Sequence, residues 1–115
     1  MATDRRHPTD AERAASARPT VVALMHALEH RDPAGLAELL REDAVWLSGE
    51  GTLAGDAAAT HARGYFADDR DRLWADPQQH GAHAVLRWAD ANLGGTGALV
   101  VEVRGDRVVL VCEAP

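Results

Sequence analysis

The chain has 115 residues, with 18 acidic against 12 basic side chains and a formal net charge of -6 at pH 7. This length suits one domain with one core, and the acidic balance argues against a nucleic acid or an anionic membrane as partner. All apolar runs are shorter than the roughly 18 residues of a membrane span, and residues 1–16 lack the apolar stretch of a signal peptide, so we expect a cytoplasmic protein.

The first part of the chain is predicted to contain an arm and two helices. Residues 1–18 are charged and have almost no large apolar side chain, so we expect a mobile N-terminal arm before one domain over 19–115. Thr20 is expected to cap the first helix, and Asp32 with Pro33 suits the start of a second. The apolar face of the first helix would consist of Val21, Leu24, Met25 and Leu28.

Strands are predicted to dominate the second part. A strand over 44–48 leads through a glycine turn into an extended 52–53. Asp56 is expected to cap a third helix that runs to about Trp74, with a buried line at Ala59, Ala62, Phe66 and Leu73. An antiparallel meander then follows, with strands over 82–88, 98–103 and 107–112.

The stretch 49–54 reads Gly-Glu-Gly-Thr-Leu-Ala after a strand, which is the outline of a dinucleotide-binding turn. Such a turn needs glycines that open a helix directly and a parallel strand after that helix. Here the helix is expected only from Asp56, and the later strands pair as hairpins. We therefore interpret the stretch as a turn between two strands, and we expect no cofactor.

The segment ALEHRDPAGLAELLREDAVWLSGEG, then LAGDAA opening a helix, then a strand meander, resembles the SnoaL-like branch of the nuclear-transport-factor-2-like superfamily. The resemblance covers about Val21 to Glu113. It implies an α+β fold, a cone-shaped, curved antiparallel sheet covered by three helices, also called cystatin-like. It further implies an apolar pocket and often a homodimer through the other face of the sheet. Members include polyketide cyclases, ketosteroid isomerases, epoxide hydrolases and dehydratases.

The resemblance implies a small apolar, ring-containing ligand and cofactor-free acid/base chemistry of the cyclase, isomerase or dehydratase type. The proton-transferring carboxylate of ketosteroid isomerases falls on Ser48 in this sequence. Their second acidic group aligns with Leu99, and their phenol falls near Leu24. The isomerase mechanism therefore does not carry over to this chain, and a non-catalytic ligand-binding or dimerising regulatory module is the alternative.

Alternation along the first strand places Trp46, Ser48 and Glu50 on one face. If Ser48 faces the pocket, as the resemblance implies, Trp46 lines it too, although large aromatic residues also dominate cores. The residues expected to bind substrate are Trp46, Ser48, Glu50, Phe66 and Leu99.

Four residues are candidates for catalysis. His83 and Arg87 share a strand face and would supply a base and an oxyanion donor; in the opposite register both lie in solvent and Trp88 is inside. His61 and Tyr65 lie four residues apart on the third helix, so they can contact one ligand, although His61 also suits a helix surface. Glu113 could reach the mouth of the pocket.

The sequence gives only weak metal signals. His26 and His30 have the spacing of metal ligands on a helix, but they point away from its apolar face. The single cysteine, Cys112, excludes an internal disulfide and a cysteine-based zinc cluster. We therefore expect no metal. A His, Asp, Glu or Tyr with polar atoms in the pocket would favour the enzyme, whereas an apolar lining would suit the regulatory module.

Overall fold

The computed structural model describes residues 9–115. Three helices and seven strands form the predicted α+β architecture, in which the helices cover a curved sheet. None of these helices has the length and apolarity needed to cross a membrane. The helices are α1 Asp10–Glu29, α2 Pro33–Leu39 and α3 Asp56–Arg63; the strands are β1 Leu40–Ser48, β2 Gly51–Ala54, β3 Arg72–Trp74, β4 Gln78–His80, β5 His83–Asp90, β6 Thr96–Arg104 and β7 Arg107–Ala114.

The sheet is mixed, with the order β2-β1-β7-β6-β5-β3 and with β4 also paired to β5. The meander β5-β6-β7 is antiparallel as predicted. The expectation of an antiparallel sheet throughout is wrong at one place, because β1 pairs with β7 in parallel. Parallel partners can be far apart in sequence, and here the pairing brings Trp46 beside Val111.

Helix α1 begins at Asp10, ten residues before the predicted cap at Thr20. Thr9 caps it, because its side chain accepts a hydrogen bond of 3.1 Å from the backbone N–H of Glu12, as in a capping box. The predicted boundary between arm and domain therefore falls inside this helix, which also contains Pro19. Residues 1–8 of the predicted arm lie outside the described residues.

The second helix begins as predicted, with Asp32 as cap and Pro33 in the first turn. The third helix differs from its prediction at both ends. Gly55, with a φ of 60°, precedes it in place of a capping Asp56, and it ends at Arg63 and not near Trp74. After Gly64 the chain leaves the helix, and residues 72–74 pair with β5 as strand β3. Leu73 is 59% exposed as a result and is not part of a buried line.

The core lies between the helices and the inner face of the sheet. Alternation along the central strands sends one side chain in two into this core. The largest fully buried side chains are Trp46, Leu24, Leu28, Leu36, Leu86, Leu99, Val21, Val101, Val108 and Val111.

Gly97 on β6 makes room for the indole of Trp88, its partner on β5. A Cβ at residue 97 would lie 2.9 Å from Nε1 of Trp88 and closer still to two ring carbons. We expect Gly97→Ala to lower the free energy of unfolding by about 1–3 kcal/mol through overpacking. Urea denaturation measures this change. Gly49→Ala is the control, because no atom lies within 4 Å of its added Cβ; equal losses in both variants would contradict the packing argument.

Candidate functional site

Four side chains meet at the inner face of the sheet and form what we call the Glu113 cluster: Trp46, His61, Tyr65 and Glu113. Oε2 of Glu113 accepts a hydrogen bond of 2.8 Å from Nε1 of Trp46 and lies 3.1 Å from Nε2 of His61. The side chains of Glu113 and His61 are 32% and 31% exposed. The carboxylate is therefore held in place while it remains accessible to a ligand.

The cluster is assembled from four parts of the chain. Trp46 lies on β1, Glu113 on the parallel strand β7 and His61 on α3, and Tyr65 follows the end of α3. Trp46 is fully buried, and Glu113 accepts from its indole N–H, which satisfies a donor that is seldom buried alone. The rings of His61 and Tyr65 contact the Trp46 ring, with centroids 5.0 and 5.7 Å away. The cluster thus joins a polar centre to an aromatic wall that Phe66 extends, 5.3 Å from Tyr65.

Tyr65 is 7% exposed, and the guanidinium of Arg72 lies over its ring. Burial raises the pKa of its phenol well above the ordinary value; the guanidinium of Arg72 lowers this pKa, and the carboxylate of Glu113 adds to the rise. The phenol is therefore protonated near neutral pH and can act as a hydrogen-bond donor.

The segment 64–71 between α3 and β3 carries Tyr65 and Phe66 over the site. Arg31, whose φ of 52° is unusual for a residue with a side chain, holds this segment from the α1–α2 corner. Its guanidinium donates to the carbonyl oxygens of Phe66 and Arg70, at 2.9 Å each, and lies over the Phe66 ring. The aromatic wall is thereby fastened to the helices.

The cluster contains the groups that general acid/base catalysis requires. Oε2 of Glu113 makes both hydrogen bonds, and Oε1 makes none within residues 9–115. A carboxylate oxygen in this state can accept a proton from a bound molecule. His61 can exchange a proton with the same carboxylate, and the Tyr65 phenol can donate a hydrogen bond to an oxygen atom of a bound molecule.

His61 lies on α3 as expected, whereas Tyr65 follows the end of the helix at Arg63. Glu113 was expected only at the mouth of the pocket and not among the catalytic or substrate-binding residues. One signal for it existed, because Val111 and Glu113 lie on the same face of a strand by alternation. Strand β7 carries irregular pairing with β6 near Val103, so the inward face could not be assigned by counting alone.

His83 and Arg87 lie on the outer face of β5, away from the Glu113 cluster, so the strand has the alternative register, in which Trp88 is inside. The inner face carries Ala84 and Leu86, which are fully buried, because apolar residues of β5 pack beneath the helices. Nε2 of His83 lies 3.4 Å from Oε1 of Glu102, and Arg87 donates to Gln78.

The other expected substrate-binding residues occupy three different environments. Ser48 holds the β1–β2 turn, where its Oγ accepts a hydrogen bond of 3.1 Å from the backbone N–H of Glu50. Glu50 is exposed in that turn, and Leu99 is buried in the core. Phe66 is half-buried beside Tyr65. Contact of these residues with a ligand remains a prediction.

Within residues 9–115, no three His, Cys, Asp or Glu side chains lie close enough together to hold a metal ion. The rings of His26 and His30 stack with centroids 4.0 Å apart on the exposed side of α1. Nδ1 of His30 lies 2.9 Å from the carbonyl oxygen of His26. This pair is separate from the Glu113 cluster.

A cavity of about 770 Å³ lies elsewhere, between the start of α1 and the turns after β4 and β6. Its walls include Asp10, Arg13, His83 and Glu102. Charged side chains that face solvent are common in surface grooves. We prefer the Glu113 cluster as the functional site, because a buried indole, an imidazole and a nearby phenol surround one carboxylate there.

Comparison with known proteins shows the fold. No protein-family model and no curated protein matches the chain. A structure of an NTF2-like protein of unknown function from Mesorhizobium loti has a TM-score of 0.74 at 19% identity, covering 94% of this chain and 95% of that one. A steroid delta-isomerase from Pseudomonas aeruginosa has a TM-score of 0.74 at 21% identity, with 87% and 79% covered. A protein from Xanthomonas campestris proposed to be a polyketide cyclase has a TM-score of 0.67 at 18% identity, with 88% and 90% covered. The chain therefore has the NTF2-like fold.

The chain contains one tyrosine, so tyrosinate absorbance reports Tyr65 alone. Because the folded-state pKa is raised, the neutral phenol stabilises the fold below the unfolded value of about 10, and this contribution is lost as the pH rises through the folded pKa. We expect tyrosinate to form only above pH about 10, together with the loss of native tryptophan fluorescence. Tyr65→Phe supplies the baseline. Tyrosinate formation near pH 10 in a native fold would contradict the buried phenol.

Proposed function

We propose that the chain binds a small, apolar, ring-containing molecule beside the Glu113 cluster and catalyses a cofactor-free proton transfer on it. The observation that carries this proposal is the Glu113 carboxylate, which Trp46 and His61 hold while a third of its side chain remains exposed. The reaction would be a cyclisation, isomerisation or dehydration. A steroid delta-isomerase and a protein proposed to be a polyketide cyclase have the same fold, which supports this class.

In the proposed mechanism Oε1 of Glu113 removes a proton from a carbon next to a carbonyl group, and the carbonyl oxygen becomes an enolate oxygen. The Tyr65 phenol donates a hydrogen bond to that oxygen as its negative charge develops. Glu113 then returns the proton to another atom of the substrate, or His61 exchanges it with solvent. Trp46 keeps the carboxylate oriented through both steps.

The presence of three titratable side chains in the cluster favours the enzyme over a non-catalytic module. A module that only binds an apolar ligand would require no carboxylate at this place, because burying polar groups without partners destabilises a fold. We also propose, from the sequence resemblance, that the chain belongs to the SnoaL-like branch and acts in the cytoplasm.

Glu113→Gln tests the proton transfer. The probe is 2-tetralone, a ring ketone whose α-protons exchange for deuterium in D2O, followed by NMR. We expect the wild-type protein to accelerate exchange and Glu113→Gln to slow it by about 10²- to 10⁴-fold, the usual contribution of a general base.

Glu102→Gln is the matched control, since Glu102 also lies beside a histidine but on the outer face of the sheet; it should retain the wild-type rate. If 2-tetralone binds but its exchange is not accelerated, the protein is not a catalyst of this reaction, and the non-catalytic ligand-binding module becomes the better interpretation. Equal exchange rates in the wild type and Glu113→Gln would exclude Glu113 as the base.

The outer face of the sheet supports the proposal of a homodimer. Strand pairing aligns Leu47, Cys112, Val100 and Val85 in one row, and all of them are half-buried in the single chain. Contiguous exposed apolar surface commonly marks a protein interface, and a symmetric dimer would cover the same row on both copies.

Val100→Glu tests this dimer, because a carboxylate in the centre of the row would have to be buried without a partner. We expect the wild-type protein to sediment as a dimer and Val100→Glu as a monomer in analytical ultracentrifugation. Val22→Glu is the control, since Val22 is 61% exposed on α1. A monomeric wild type, or a dimer of unchanged stability in Val100→Glu, would contradict the proposed interface.

A further inference from the structure

Arg72 on β3 is enclosed on three sides. Its guanidinium lies between two aromatic rings, with Cζ 4.5 Å from the centroid of Tyr65 and 4.9 Å from that of Trp88. Nη1 and Nη2 donate to the two carboxylate oxygens of Asp68, at 3.1 and 2.7 Å. The side chain is 8% exposed. Both faces and the terminal edge of the guanidinium are therefore occupied.

The fourth side of Arg72 is different. Its Nε is buried and is the one buried side-chain nitrogen or oxygen without a hydrogen-bond partner in residues 9–115. A buried N–H that belongs to a permanent cation is costly to leave unpaired. Such exceptions are rare in folded proteins and call for an explanation.

We infer that this Nε edge of Arg72 binds an anionic oxygen, so that the ring-containing ligand of the site carries a carboxylate. The inference rests on the proposed function only in taking the ligand to lie beside the Glu113 cluster. Nε–H and the adjacent terminal N–H of a guanidinium run parallel on one edge and match the two oxygens of a carboxylate. The acceptor that the protein does not supply would come from the ligand.

The surrounding charges agree with this orientation. A second guanidinium, that of Arg70, lies 5.4 Å from the Trp88 ring and pairs with Asp90 at 3.3 Å. Arg72 and Glu113 both act on Tyr65, the first through its positive charge and the second through its negative charge.

Isothermal titration calorimetry of the wild-type protein with 2-naphthoate and with 2-naphthamide tests whether a carboxylate improves binding. The two molecules have nearly the same shape, but the amide is neutral and presents an NH2 donor group where the carboxylate has a second acceptor oxygen. We expect the naphthoate to bind at least about tenfold more tightly, which is the lower end of the gain from a hydrogen bond between charged groups. Equal affinities would overturn the inference.

Two substitutions locate the effect. Arg72→Gln should remove the preference for naphthoate, and Arg72→Lys should weaken it, because lysine keeps the charge but lacks the planar pair of donors. Arg87→Gln is the matched control, since Arg87 is exposed on the outer face of β5; it should keep the wild-type preference. A preference that survives in folded Arg72→Gln would place the carboxylate elsewhere and overturn the inference.

If both Arg72 variants fail to fold, NMR spectroscopy of the wild-type protein tests the same contact of Arg72 with the ligand. The ¹H–¹⁵N spectrum should contain an arginine Nε–H signal that exchanges slowly with solvent, as burial requires. This signal should move on addition of naphthoate and stay in place with naphthamide. An Nε–H signal that shifts with neither molecule would mean that water alone is the hydrogen-bond partner of Nε, and it would overturn the inference.

The two proposals can fail separately. Naphthoate preference without accelerated exchange of 2-tetralone would retain the Arg72 subsite and remove the catalytic role of Glu113. Accelerated exchange with equal binding of naphthoate and naphthamide would retain catalysis and remove the subsite. Glu113→Gln should keep the naphthoate preference, because the hydrogen bonds of Glu113 are with Trp46 and His61 and not with Arg72.

Discussion

The site depends on the hydrogen bond between the Trp46 indole and the Glu113 carboxylate. It satisfies the one polar atom of a fully buried aromatic side chain, and it fixes the carboxylate at the same time. A carboxylate oxygen held in this way is a structural partner, and under the proposed function it would also be an oriented base. Under the proposed function, stability and catalysis would share one contact, so a change in the packing around Trp46 would also move the proposed base.

The remainder of the site is arranged around Tyr65. The guanidinium of Arg72 lies over its ring, and the charges of Arg72 and Glu113 shift the pKa of its phenol in opposite directions. The same ring belongs to a segment that Arg31 ties to the helices through two carbonyl oxygens. The position of Tyr65 is thus set by the fold, and such fixed positions are what a site needs to orient a bound molecule.

Local patterns in the sequence predicted local structure well. The start of α2 at Asp32 and Pro33, the three strands of the meander and the NTF2-like fold were all predictable. The capping box at Thr9 was present in the sequence, but the lack of apolar residues after it favoured an arm. Pairing between distant strands has no comparable local signal, so the partnership of β1 with β7, and with it the role of Glu113, required the structure. The same holds for Arg72, which the expected length of α3 had placed on a helix.

The parallel pairing of β1 with β7 has a consequence for biosynthesis. Trp46 and Glu113 are 67 positions apart, and a nascent chain emerges from the ribosome in sequence order. The helices and the β1–β2 hairpin can form while translation continues, but the Glu113 cluster cannot assemble until β7 has emerged and paired with β1. Until then the backbone groups of β1 that pair with β7 lack these partners.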